Sequence, residues 1–137
     1  MHMPQDLDAA FREFIPPFGA AGNPVDITGG EPPSTYQNTI KLGLEDDRIH
    51  ALILGYWHTI ITPPMVFARL AVETIAQAKE KGIHKPIVAS LVGDVEVEEA
   101  AEYLYDRGIV AYPYRTELPV AVLGAKYAWS RGAGLLS

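Results

Sequence analysis

His58 is the side chain best placed for chemistry in a chain that has no cysteine. It sits in Trp57-His58-Thr59-Ile60-Ile61-Thr62, directly after an apolar run. An imidazole there could accept a phosphoryl group or touch a substrate; it could equally be a loop histidine with no chemical task. The second group is Asp26-Ile27-Thr28-Gly29-Gly30. A glycine turn can offer backbone N–H groups to an anion, but Gly29-Gly30 lacks both the G-x-G-x-x-G spacing and a Walker lysine. Asp26 has two readings: it binds a metal or orients a partner histidine, or it caps the Thr28-Gly29-Gly30 turn. Glu96, Glu98, Glu99 and Glu102 read as a solvated helix face, and no metal site is assigned. His50, at the start of a strand, and His84, in a turn, read as structural or surface groups.

A β-α-β crossover must position these groups. Residues 49–55, IHALILG, are apolar almost throughout, as a strand buried on both faces should be. A loop over 56–62 follows, and Pro63-Pro64 opens a helix. Phe67, Leu70, Ala71, Thr74, Ile75 and Ala78 share one face of it, and Gly82 stops it. Residues 86–91 supply the second strand. In such units ligands meet the loop leaving a strand's carboxyl end, which is the loop containing His58.

The remaining elements extend the same pattern. Residues 6–14 form a short amphipathic helix with Leu7, Ala10, Phe11 and Phe14 on one side. Residues 23–30 give a brief strand around Val25 and the glycine turn. A helix from about Ser34 carries Tyr36, Ile40, Gly43 and Leu44 inward. Asp94 caps a helix whose inner residues are Val97, Ala100, Ala101 and Leu104, with Glu96, Glu98 and Glu99 near its positive end. Residues 109–112 are the last strand. Thr116 caps a final helix with Val120, Leu123, Gly124 and Tyr127 as its inner stripe. One helix followed by four β-α units predicts an α/β three-layer domain with a parallel sheet over 4–132, and a tail at 133–137.

Composition narrows the function classes. A chain of 137 residues with a formal charge of −6 is one acidic domain, poorly suited to binding a phosphate backbone. Disulfides, thiolate metal sites and a cysteine nucleophile are excluded. No apolar run reaches bilayer length, the start Met1-His2-Met3-Pro4 reads as a cloning remnant rather than a secretory signal, and the cytoplasm is the expected location.

Asn23-Pro24-Val25-Asp26-Ile27-Thr28-Gly29 resembles the N-P-V-D-[LIV]-T-G segment of the NDP-forming acyl-CoA synthetases, the acetate–CoA ligase (ADP-forming) family of the succinyl-CoA synthetase superfamily. The strand Asp47-Arg48-Ile49-His50-Ala51-Leu52-Ile53, the run from Lys85 to Ala89 and the run from Gly108 to Pro113 match as well, so the resemblance extends from about Asp6 to Tyr127. It implies a flavodoxin-like CoA-ligase domain. The family reaction joins a carboxylic acid to CoA with ATP through an acyl phosphate and a phosphohistidine. By this resemblance Asp26, Thr28, Gly29, Gly30, Trp57, His58, Thr59 and Thr62 face the phosphohistidine, with His58 the candidate catalytic residue.

The departures are as informative. The phosphoacceptor motif S-H-T-G-A is absent, and none of His2, His50, His58 or His84 has that context. Pro63 and Pro64 remove two N–H donors from the helix start that would face phosphate. The first β-α unit of the domain does not appear before Asp6, and its strand belongs between those matching Val25 and Leu52. Either the remaining strands close that gap, or another segment or chain fills it. The implied partners are the CoA-binding, phosphohistidine and ATP-grasp domains of the same enzyme, or a second copy in a homodimer, with no nucleic acid and no membrane. The domain alone is expected to bind no cofactor; CoA, ATP/ADP and Mg belong to the complete enzyme. The isolated chain is expected to be inactive. The alternative is a non-catalytic assembly module of the same fold.

Overall fold

Proline and glycine set the element borders in the computed structural model, which describes residues 3–135. The remnant expected at Met1-His2 and the last two residues of the expected tail lie outside the described residues. Helix α1 (Gln5–Arg12) buries Leu7 and Phe11. Helix α2 (Pro33–Glu45) starts on a proline, whose missing N–H costs nothing there, and buries Tyr36, Ile40, Gly43 and Leu44 as the 3.6-residue period requires. Strand β1 (Leu52–Trp57), helix α3 (Pro64–Glu80), strand β2 (Ile87–Val92), helix α4 (Val95–Tyr105), strand β3 (Val110–Pro113) and helix α5 (Glu117–Gly132) follow. At Gly82 (φ 81°) and Gly108 (φ 77°) the chain turns left-handed after α3 and α4, a conformation that favours glycine.

The three strands form one parallel sheet in the order β1-β2-β3, with Leu54 opposite Ala89 and Ser90 opposite Tyr112. The pleat sends Leu54, Tyr56, Ala89 and Leu91 to one face, where they join Phe67, Ala71, Val97, Ala101 and Leu104 of α3 and α4 in the main core. Tyr56 stacks on Phe67 at 4.5 Å between ring centroids, and Tyr36 meets Phe67 edge-on at 5.7 Å. Helices α2, α3 and α4 line up on this side, while α5 packs against β2 and β3. A smaller cluster of Leu7, Phe11, Ile15 and Ala21 joins α1 to the loop that follows.

Ion pairs tie α1 and α2 to the start of the sheet. Arg48 contacts Asp6 of α1 at 2.9 Å and Asp46 at 2.7 Å. Lys85 donates to the carbonyl oxygens of Gly43 and Asp46, which are left without helical partners at the end of α2.

The structure corrects three expectations. The segment around Val25 is not a strand: it makes a single antiparallel bridge, Ala20 with Asp26, closed at 2.7 and 2.9 Å. Pro24 has no N–H to give, and among the described residues no strand lies alongside to pair with the segment. The gap beside β1 therefore stays open as a cavity of about 780 Å³ between residues 22–27, α1 and the free edge of β1. Helix α5 turns a different face inward than expected: Pro119 is buried and Leu118, Val122 and Leu123 are half-buried, while Val120, Gly124 and Tyr127 are exposed. Finally, β1 extends to Trp57, so Tyr56 and Trp57 belong to the strand rather than to the loop. The parallel α/β fold stands. Its third layer covers β2 and β3, whereas on β1 Ile53 and Trp57 remain exposed.

Candidate functional site

The loop at the carboxyl end of β1 is held from within. The Tyr56 hydroxyl, buried, donates to the Thr62 carbonyl oxygen at 2.7 Å. Thr59 Oγ1 donates to the same oxygen and accepts from the Thr62 N–H, both at 3.2 Å. Thr62 is fully buried, and its hydroxyl donates to the Glu31 carbonyl oxygen at 2.8 Å. These bonds satisfy a loop that would otherwise carry unpaired backbone groups into the core. Burial pushes the phenols of Tyr36 and Tyr56 above their ordinary range, so both stay neutral donors.

The glycine turn lies against this loop. Asp26 accepts the Thr28 N–H at 2.8 Å and thereby caps its own turn, the second of its two readings. Thr28 takes φ 64°, a strained conformation for a β-branched residue. A Cβ on Gly29 would stand 3.5 Å from the Thr59 methyl carbon, and one on Gly30 would meet nothing. Asp26, Thr28, Gly29 and Trp57 line a common cavity of about 280 Å³ with Tyr36 and Gly55. The two turns proposed from sequence thus share one rim of the sheet.

His58 turns to the other side, against the start of α4. Its Nδ1 lies 3.1 Å from Asp94 Oδ1 and its Nε2 3.4 Å from Glu96 Oε2. Its backbone N–H donates to the Val92 carbonyl oxygen at 2.8 Å, which continues the ladder past the end of β1. Gly93 makes this approach possible, because a Cβ there would lie 2.6 Å from His58 Cβ and 2.7 Å from Val97 Cγ1. Asp94 caps α4 as expected, accepting the Glu96 N–H at 3.3 Å. The Tyr114 hydroxyl donates to the Asp94 carbonyl oxygen at 2.9 Å.

Of the residues singled out from sequence, Asp26, Thr28, Gly29, Gly30, Trp57, Thr59 and Thr62 fall together around the small cavity and the loop beside it. His58 stands apart, in a cluster that sequence reasoning missed. From sequence, Asp94 reads as a helix cap and Glu96 as part of a solvated helix face. The signal was available: a capping aspartate after β2 must lie at the carboxyl rim, next to whatever leaves β1. Pro63 and Pro64 open α3 without a side-chain cap, and Phe67 donates to the Pro63 carbonyl oxygen at 3.0 Å.

The fold and its rim define a parallel α/β domain that gathers the loops following β1 and β2 at one end of the sheet. Comparison with known proteins fixes the family. The chain belongs to the Ligase-CoA domain family, which matches residues 1–137. It is 33% identical over 133 residues to the alpha subunit of acetate–CoA ligase [ADP-forming] I of Pyrococcus furiosus, covering 96% of this chain and 28% of that subunit. It is 32% identical over 121 residues to the alpha subunit of the second such ligase of that organism, covering 85% and 24%. Among solved structures, the dinucleotide forming acetyl-coenzyme A synthetase 1 of Ca. Korarchaeum cryptofilum (apo form) superposes with a TM-score of 0.86 at 34% identity, over 95% of this chain and 28% of that one. The chain therefore spans about a quarter of the length of these relatives and is homologous to one region of their alpha subunits. Among the described residues no helix is long and apolar enough to cross a membrane.

Proposed function

We propose that the chain acts as the flavodoxin-like ligase domain of an ADP-forming acyl-CoA synthetase, and that its rim faces the phosphohistidine and acyl phosphate of the complete enzyme. One observation carries this reading: the segment just after the glycine turn and the loop following Trp57, distant in sequence, are bonded together at the carboxyl rim through Glu31 and Thr62. Trp57, 70% exposed, walls the cavity beside them. A related synthetase of 34% identity was solved in complex with phosphate and ADP, in keeping with a phosphoryl group passing such a rim.

In this reading the chain contributes one face of a composite site in the cytoplasm. CoA, ATP or ADP and Mg are bound by the CoA-binding, phosphohistidine and ATP-grasp domains of the same enzyme. The open slot beside β1 takes a strand from outside these residues, since a sheet edge facing a cavity leaves backbone donors and acceptors unpaired. Acid- and CoA-dependent ATP turnover tests the reading. The isolated chain should show none, the complete enzyme should show it, and Trp57→Ala and Asp26→Ala in that enzyme should lower it. Full turnover in both variants would sink the assignment of the rim. His58→Ala in the same assay decides its candidacy as a catalytic residue.

Exposed apolar side chains at the rim favour a second reading. Ile60 is 95% exposed and Ile61 57%, on a loop too well bonded to fold them inward. A non-catalytic assembly module would use them to dock a neighbour. Ile60→Asp that abolishes assembly while Trp57→Ala leaves turnover unchanged would favour this alternative. Size-exclusion chromatography then distinguishes a homodimer from docking onto other domains.

A further inference from the structure

His58, Asp94 and Glu96 come from two rim segments 36 residues or more apart in sequence and present one ligand atom each within 4.8 Å of one another. We propose that this cluster holds a divalent transition-metal cation of the Zn²⁺, Co²⁺ or Mn²⁺ kind. The sequence had assigned no metal, because nothing in the spacing joins His58 to the start of α4.

The positions are set by the fold. Gly93 admits His58 at a separation that any Cβ would close, and Tyr114, just after β3, holds the Asp94 backbone. Around a tetrahedral cation with bonds of about 2.0–2.2 Å, neighbouring ligand atoms stand roughly 3.3–3.6 Å apart. One nitrogen of His58 and one oxygen each of Asp94 and Glu96 lie within 4.8 Å of one another, and rotation of the two exposed carboxylates closes them to that spacing. The ring gives one nitrogen to the ion and keeps its proton on the other, which sets its tautomer. An imidazole ligand selects a transition metal over Mg²⁺ or Ca²⁺, which prefer all-oxygen sites.

Charge is the independent observation. Among the described residues no lysine or arginine pairs with Asp94 or Glu96, and His58 is the one basic group within ion-pair distance of either. Asp26 and Glu31 add negative charge on the neighbouring turn. A rim of this sign repels a phosphoryl group, and Pro63 and Pro64 have removed two N–H donors that would attract one. A bound cation reverses the local sign and gives phosphoryl oxygens an electrophile to meet. That role rests on the functional reading above; the binding site itself does not.

Zn²⁺ titration of the chain by calorimetry, with Co²⁺ followed by its visible absorption bands, tests the proposal. One ion per chain is expected. His58→Ala should abolish binding, and Asp94→Asn and Glu96→Gln should each weaken it at least tenfold. A variant with His2, His50 and His84 all changed to Ala should bind as before. Circular dichroism melts show whether His58→Ala remains folded; should it not, Glu96→Gln, at an exposed position, carries the test. No bound ion, or binding that survives both His58→Ala and Glu96→Gln, overturns the proposal. Ion binding in a protein whose Trp57→Ala enzyme keeps full turnover would leave the metal site standing while the phosphoryl-facing reading fell.

Discussion

The hydroxyl of Tyr56, at the end of β1, and the carbonyl oxygen of Thr62, just before α3, are joined at 2.7 Å inside the protein. This bond spans the loop that leaves Trp57 and carries His58 and Thr59, so the loop's shape is set by the core beneath it. Tyr56→Phe keeps the stack on Phe67 and removes this bond together with the longer one, 3.4 Å, that the Thr59 N–H donates to the hydroxyl. Thr62 retains Thr59 Oγ1 as a donor, so the acceptor is not orphaned and the loss is expected near the lower end, about 1 kcal/mol. Urea denaturation measures it. Hydrogen exchange should accelerate at Thr59 and Thr62 and stay unchanged in α4.

Gly93 is required by His58. Gly93→Ala puts a methyl group 2.6 Å from His58 Cβ and 2.7 Å from Val97 Cγ1, and neither can swing away as a side-chain tip would. Destabilisation of about 1–3 kcal/mol is expected, with displacement of the imidazole visible in its NMR shifts. Gly55→Ala is the matched control, since a Cβ there meets nothing within 4 Å, and its melting midpoint should barely move.

Arg48 bridges α1 and the turn before β1, and that pairing sets an acid limit. Its guanidinium holds the Asp46 carboxyl down from 3.8 to about 2. The same group lowers Asp6. A carboxyl with a depressed folded pKa adds stability that is fully present above its unfolded pKa and lost as pH falls through the folded one. Stability is therefore expected to decline between about pH 4 and pH 2, and Arg48→Met should flatten that decline. Solvent screens this surface network, which keeps the effect small. Melting midpoints from pH 2 to 7 check both statements.

Ser90 lies in the middle of β2 with its hydroxyl buried and without a partner. Removing an unsatisfied buried group leaves nothing orphaned, so Ser90→Ala is expected to be neutral or to stabilise by up to about 1 kcal/mol. A loss of more than that in thermal melts would show that the hydroxyl has a partner in solution.

The free edge of β1 has a defined pattern. The Leu52 N–H donates to Pro86 O and the His58 N–H to Val92 O, so in a parallel ladder the even residues between them pair with β2. Ile53, Gly55 and Trp57 point their N–H groups to the open side. Their amides are expected to exchange much faster than those of Leu54 and Tyr56. Equal protection of both sets would mean that the edge is already covered.

The sequence by itself determined the local elements and much of the core. Apolar periods placed Tyr36, Ile40 and Leu44 of α2 and Val97, Ala101 and Leu104 of α4 inward, because a helix face or a strand pleat is a property of spacing alone. The segment beginning at Asn23 also pointed to the family. Only the tertiary structure decided what depends on neighbours. Val25 has strand composition but lacks a ladder to join, and the stripe of α5 has apolar residues but no surface to cover Val120 and Tyr127. The partners of His58 were hidden for the same reason. Asp94 and Glu96 become its neighbours through the parallel pairing of β1 with β2, which brings the ends of the two strands side by side while leaving them distant along the chain.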